Sequence, residues 1–130
     1  MSFDLPPDTI LPVRSVTVRL EPPPHPFERD NLAAIEQHWS RATAANPHLF
    51  DGQVALLAGL SWRDDALSGR CHLVRYASFL YWRATRPAGV AGHAYTHAML
   101  VGSDNALVAI RMGAGTVNAG KVYFAAGSFE

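Results

Sequence analysis

The chain predicts an α+β domain, a mixed or antiparallel sheet of about six strands with one long N-terminal helix. Three observations support this. Short runs alternate apolar and polar residues with the two-residue period of half-buried strands, as in Val16, Val18 and Leu20 against Ser15, Thr17 and Arg19. Leu32, Ile35, Trp39 and Ala42 recur at three- and four-residue steps, which places them on one stripe of a helix. Between such runs stand clusters of proline and glycine, residues that end strands and helices. At 130 residues, 48% hydrophobic and 17% charged, the chain has the size and composition of one globular domain, residues 1–130.

In order, residues 1–12 carry Pro6, Pro7 and Pro12 and read as an extended lead-in. Residues 13–20 form the first strand, stopped by Pro22, Pro23, Pro24 and Pro26 because proline cannot donate to a sheet ladder. Residues 27–45 are the long helix. Pro26 suits its first turn, and Asn46-Pro47 ends it because the residue before proline disfavours helical angles. NPHLFDG, residues 46–52, follows as a turn in which Asp51-Gly52 adopts positive φ and Leu49 and Phe50 tuck into the core. Residues 53–62 and 69–76 are two strands about the loop RDDALSG. Residues 78–85 fit a strand or a short helix, since the aromatics of SFLYWRAT serve either. Residues 93–102 and 106–112 give the clearest strand pair, with Ser103-Asp104-Asn105 as its turn. GAGTVNAG, residues 113–120, is a loop, and residues 122–125 make a last short strand.

Composition narrows the partners. Eleven basic residues balance eleven acidic ones, so no global field holds a nucleic acid, although a single arginine can still clamp a phosphate. Cys71 is the one cysteine and sits in an alternating apolar run, which suits packing in a reducing compartment. No apolar run approaches the roughly 20 residues of a membrane span, and MSFDLPPDT lacks the features of a signal peptide. A cytoplasmic protein without a membrane partner is the expectation.

Several chemical motifs fail on their context. The glycines of GAGTVNAG could expose amides to an anion, but no GK[ST] and no helix follow, as a P-loop or dinucleotide fingerprint requires. His93 and His97, four residues apart on a strand, share a face, but a third metal ligand at suitable spacing is missing. No GxSxG elbow marks a nucleophilic serine. Arg111 stands out instead, because it ends an apolar strand beside a polar loop, where a guanidinium either grips a phosphate through two hydrogen bonds or simply marks a solvated strand end.

The runs AMLVGSDNALVAIRM and NAGKVYFAAGSFE, together with NPHLFDG upstream, resemble a Nudix hydrolase of the branch that acts on UDP-sugars. The likeness covers residues 46–130 loosely. It makes Gly127 the glycine that opens the Nudix box, with Ser128, Phe129 and Glu130 after it. The Glu and Arg-Glu-x-x-Glu-Glu signature of that box lies beyond Glu130.

The resemblance implies an incomplete α/β/α sandwich, a nucleoside diphosphate substrate such as a UDP-sugar, and Mg²⁺ held by the box glutamates. It assigns phosphate contact to Arg111, substrate orientation to Asn118 and Tyr123, and base stacking to Phe50. Glu130 would support metal only if more chain follows. Residues 1–130 are then the substrate-side part of the enzyme, inactive alone, with a sheet face left uncovered and open to a homo-oligomer. The rival reading is a non-catalytic module that binds a nucleotide or a protein, or that dimerises through the uncovered face.

Overall fold

The structure, a computed structural model, describes residues 3–128, which divide into two compact units, one running to Ala94 and the other starting at Tyr95. The first unit is an α+β layer built on one mixed sheet. Its strands are β1 (Phe3–Asp4), β2 (Ser15–Glu21), β3 (Gln53–Arg63) and β4 (Ala66–Arg75), in the order β1-β3-β4-β2. β3 and β4 form an antiparallel hairpin, β1 runs parallel to β3, and β2 runs parallel to β4. Asp64 and Asp65 make the hairpin turn, both at positive φ, +52° and +59°. That matches the mirror-image turns which follow the right-handed twist of paired strands. The expected seven-residue loop is therefore a tight turn, and β4 starts at Ala66.

The sheet has four strands where about six were expected. The difference lies in residues 95–128, whose strands pair only with one another. The long N-terminal helix is also absent as a single element. It is two helices, α1 (Pro26–Asp30) and α2 (Leu32–Ala45), parted at Asn31, whose φ of −128° and ψ of 17° leave the helical region. The break is held by Asn31 itself, whose side-chain amide donates to the Phe27 carbonyl at 2.8 Å. The segment that fitted strand or helix is α3 (Tyr76–Thr85).

The helices serve one sheet face. Leu56, Val74, Phe27, Phe79 and Ala91 form the core there, and Leu56 is fully buried. Ala55, Leu57, Leu60 and Cys71 form a second cluster with Phe3, Val18 and Leu67 against it. Between Leu57 and Gly59 the register of β3 slips, leaving Ala58 as an extra residue. This bulge lets Leu57 exchange two backbone hydrogen bonds with Gly92, at 2.7 and 3.1 Å, which ties the chain after α3 back to the sheet. Gly69 lies across the bulge, where a Cβ would fall 2.9 Å from the Gly59 carbonyl oxygen.

Two histidines sit inside this unit. His25 is fully buried. Its Nδ1 accepts the Phe27 N–H at 3.0 Å, and its Nε2 stands 3.1 Å from the Leu57 carbonyl, which needs a donor. Those roles select the neutral Nε2–H tautomer. His72 packs edge-on against it, ring centroids 5.2 Å apart, with Nδ1 2.8 Å from the Pro22 carbonyl.

The second unit is three short antiparallel ladders. β5 (Tyr95–Ala98) pairs with β10 (Ala125–Ser128), β6 (Leu100–Val101) with β7 (Leu107–Val108), and β8 (Ile110–Arg111) with β9 (Val122–Tyr123). The strand pair expected at 93–102 and 106–112 thus survives as the β6–β7 hairpin, while the flanking residues pair elsewhere. Gly127, the residue read as the opening of the Nudix box, lies within β10 opposite Thr96. Among the described residues no helix is long and apolar enough to cross a membrane.

Candidate functional site

The NPHLFDG turn has a structural task. Asp51 Oδ1 accepts the Ala77 N–H at 3.0 Å, and Gly52 carbonyl accepts the Tyr76 N–H at 2.7 Å, so the turn caps the N-terminus of α3. Glu28 of α1 completes the cap, accepting from Ser78 Oγ at 2.6 Å and from the Arg75 N–H at 3.3 Å. Two carboxylates at the positive end of a helix are electrostatically favourable there. Arg75 is gripped by the same turn, with Nε 2.8 Å from Asp51 Oδ2, and it also binds Glu36 of α2. These paired carboxylates hold its pKa well above the usual arginine value.

Phe50 is not in the core as expected, being 82% exposed. The bonds of Asp51 fix the turn, and the Phe50 ring folds back over Gly52, where a Cβ would meet it at 3.2 Å. Gly52 itself does not take positive φ; that conformation occurs at Gly89 and Gly120. Exposure leaves the ring free to stack.

A cleft of about 570 Å³ opens beside this cluster, walled by Pro22–Pro24, Leu20, Leu32 and Leu73. Its charged rim is already neutralised. Arg29 pairs with Asp30 at 2.7 Å, Arg75 with Glu36 and Asp51, and Glu21 with Arg70 at 3.2 Å. A cleft whose arginines are spent on carboxylates offers little to a diphosphate.

The second unit holds three of the residues singled out from the sequence. Arg111 lies opposite Val122 and Ile110 opposite Tyr123. Because side chains alternate across a strand, Arg111 and Tyr123 project to opposite faces of this ladder. Asn118 and Tyr123 do meet, with the Asn118 amide 3.4 Å from the tyrosine hydroxyl. Arg111 has no carboxylate partner among the described residues.

His97 joins this group, which the sequence did not indicate. Its ring stands 6.0 Å from Tyr123 and 5.2 Å from Tyr95, edge to face in both contacts. Nδ1 lies 3.0 Å from the Phe124 carbonyl, so it carries the proton and leaves Nε2 as an outward acceptor. The one signal was the spacing of His97 from His93, read as a possible metal pair. His93 instead belongs to the first unit, its ring 4.7 Å from Phe79, and burial pushes its pKa down.

The GAGTVNAG loop closes on itself. The amides of Thr116, Ala119, Gly120 and Lys121 donate to carbonyls of Gly113, Thr116, Met112 and Asn118 at 3.0–3.2 Å, so they are not offered to an anion.

Cys71 is buried, as its apolar setting suggests, and burial raises its thiol pKa. Among the described residues no three His, Cys, Asp or Glu side chains converge on a point that could hold a metal ion. Glu130, the residue given a conditional part in holding metal, lies outside the described residues. No protein-family model, curated protein or solved structure matches this chain.

Proposed function

We propose that the chain is the substrate-side part of a Nudix-type hydrolase acting on nucleoside diphosphates linked to a second group, with UDP-sugars as the substrate class. The observation that carries this reading is the β6–β7 hairpin. Leu100 faces Val108 on one side and Val101 faces Leu107 on the other, and all four are at least half exposed, from 50% to 56%. A hairpin apolar on both faces is the pattern of a sheet covered on both faces, as in an α/β/α sandwich. In this reading helices carrying the metal-holding glutamates supply part of that cover.

Arg111 binds the diphosphate, being a guanidinium that no carboxylate among the described residues neutralises. Tyr123 and Asn118 sit on the other face of the same ladder, where the Tyr123 O–H can still donate and the Asn118 carbonyl and His97 Nε2 can accept. The tyrosine O–H can meet one uracil carbonyl and either acceptor can take its N3–H, with the second carbonyl left to water. The two roles fall on opposite faces, so in this reading the diphosphate reaches Arg111 around the ladder's end or the ladder turns on binding. The chain alone is expected to bind and not to hydrolyse.

Calorimetry with UDP and UDP-glucose tests the reading. Saturable binding that falls about tenfold or more in Arg111→Ala is the expected result. Heats no larger than dilution would remove the nucleotide from the account. Release of UMP from UDP-glucose by residues 1–130 with Mg²⁺, abolished by EDTA, would contradict the division of labour proposed here.

A further inference from the structure

We propose that β2 pairs antiparallel with β2 of a second copy of this chain, joining the two four-stranded sheets into one. β2 is an edge strand, bonded to β4 on one side only. Its seven residues follow β4 in unbroken register from Ser15–Ala66 to Glu21–His72, so no bulge twists the edge away. Edge strands of soluble proteins are usually blunted by brevity, by lysine, by proline or by a bulge. Among the described residues the opposite edge is short in this way, since β1 spans two of them. β2 contains neither lysine nor proline, and prolines stand just outside it at Pro12 and Pro22.

The pattern of β2 says what covers it. A two-fold axis through Val18 is the one antiparallel register that uses all seven residues. It sets Val16 of each copy against Leu20 of the other, Val18 against Val18, and Thr17 against Arg19. Apolar residues then meet apolar ones along one face, and polar meet polar along the other. Val16 and Leu20 are 53% and 59% exposed, so each has surface to lose in such a pair. No like charges stand directly opposite each other. A strand that complements itself in its central register is suited to its own copy, as closed two-fold interfaces require.

The covered area is that of one strand pair and its neighbours. That belongs to the small class of interfaces, below about 1,200 Å², which suits a reversible and transient pair. This inference does not depend on the nucleotide reading. It concerns the first unit, and the dimer is expected with or without UDP.

Sedimentation of the chain over a concentration series up to about 100 µM reads the equilibrium directly. The expected result is a reversible monomer–dimer transition, weakened at least tenfold by Leu20→Lys or Val16→Lys. Both positions are exposed, so the variants should keep the wild-type circular dichroism spectrum. Cross-linking fixes the register. In a Cys71→Ala background, Val18→Cys should form an interchain disulfide in air much faster than Thr17→Cys, because only residue 18 meets its own copy. A wild-type monomer at every concentration overturns the proposal. So does a dimer that survives Leu20→Lys, or equal cross-linking at positions 17 and 18.

Discussion

Asp51 and Arg75 are joined twice, Nε and Nη2 of the arginine lying 2.8 and 2.7 Å from one carboxylate oxygen, while the other oxygen caps α3 through the Ala77 amide. One side chain thereby fixes the NPHLFDG turn, the start of α3 and the end of β4. Asp51→Ala should cost about 1–2 kcal/mol in urea unfolding, the usual range for a lost helix cap. Asp51→Asn can still accept the Ala77 N–H and should cost less than half as much, because the ion pair is part-exposed and worth little. Equal losses for the two variants would place the stability in the charge and not in the cap.

His25 gives the fold a dependence on pH. Burial lowers its pKa below 6.5, with His72 acting in the same direction and the Leu57 carbonyl and Glu28 opposing. The unfolded chain takes up a proton near pH 6.5 while the folded chain resists it. Stability is therefore full above that value and declines as pH falls below it, by at most about 1.4 kcal/mol per pH unit for one group. His93, also shifted down, adds to the same window. Urea midpoints should be level from pH 7 to 8 and drop toward pH 5.5. The slope should flatten in part in His93→Gln. A midpoint that rises on acidification would reverse the sign assigned to both histidines.

Gly69 is required by the bulge. A Cβ there would sit 2.8 Å from Leu60 Cδ1 and 2.9 Å from the Gly59 carbonyl oxygen, and the backbone atom cannot yield. Gly69→Ala should cost about 1–3 kcal/mol, comparable with overpacking elsewhere in a core. Gly113→Ala, with open space around its Cβ position, should be close to neutral. Similar thermal midpoints for the two variants would show that the strands part easily at the bulge.

The two units should differ in amide exchange. β3 and β4 share a ten-residue hairpin over a buried core, whereas the ladders at 95–128 are two to four residues long with exposed side chains. Exchange should be slowest in residues 54–57 and 71–74 and orders of magnitude faster in the ladders. Protection in residues 100–108 equal to that of β3 would mean that the β6–β7 hairpin is already covered.

Much of the first unit was legible because strand alternation and proline punctuation are local signals. β2, β3 and β4 fall within a few residues of where the pattern puts them. The split at Asn31 was not legible, since the apolar stripe from Leu32 to Ala42 does not register a turn held by a side-chain bond to the Phe27 carbonyl. Leu32, the first member of that stripe, is in fact 56% exposed, and Ile35 does the burying. His25 lay hidden in a proline-rich connector, and its burial depends on the Leu57 carbonyl, distant in sequence. In the candidate site Asn118 and Tyr123 are neighbours because the loop between β8 and β9 folds back on itself, a contact that the sequence reading did not derive. His97 was missed because its partners, Tyr123 and the Phe124 carbonyl, come from the other end of the unit. Pairing across the first unit could not extend to six strands, since residues 95–128 satisfy their ladders among themselves.

The claim on which the functional account rests is that the 95–128 unit receives a nucleoside diphosphate. Amide chemical shifts recorded during a titration with UDP test it most directly. The account predicts saturable shifts centred on His97, Arg111, Asn118 and Tyr123. Shifts absent from residues 95–128 at saturating UDP, or confined to the cleft beside Pro22–Pro24, would contradict it.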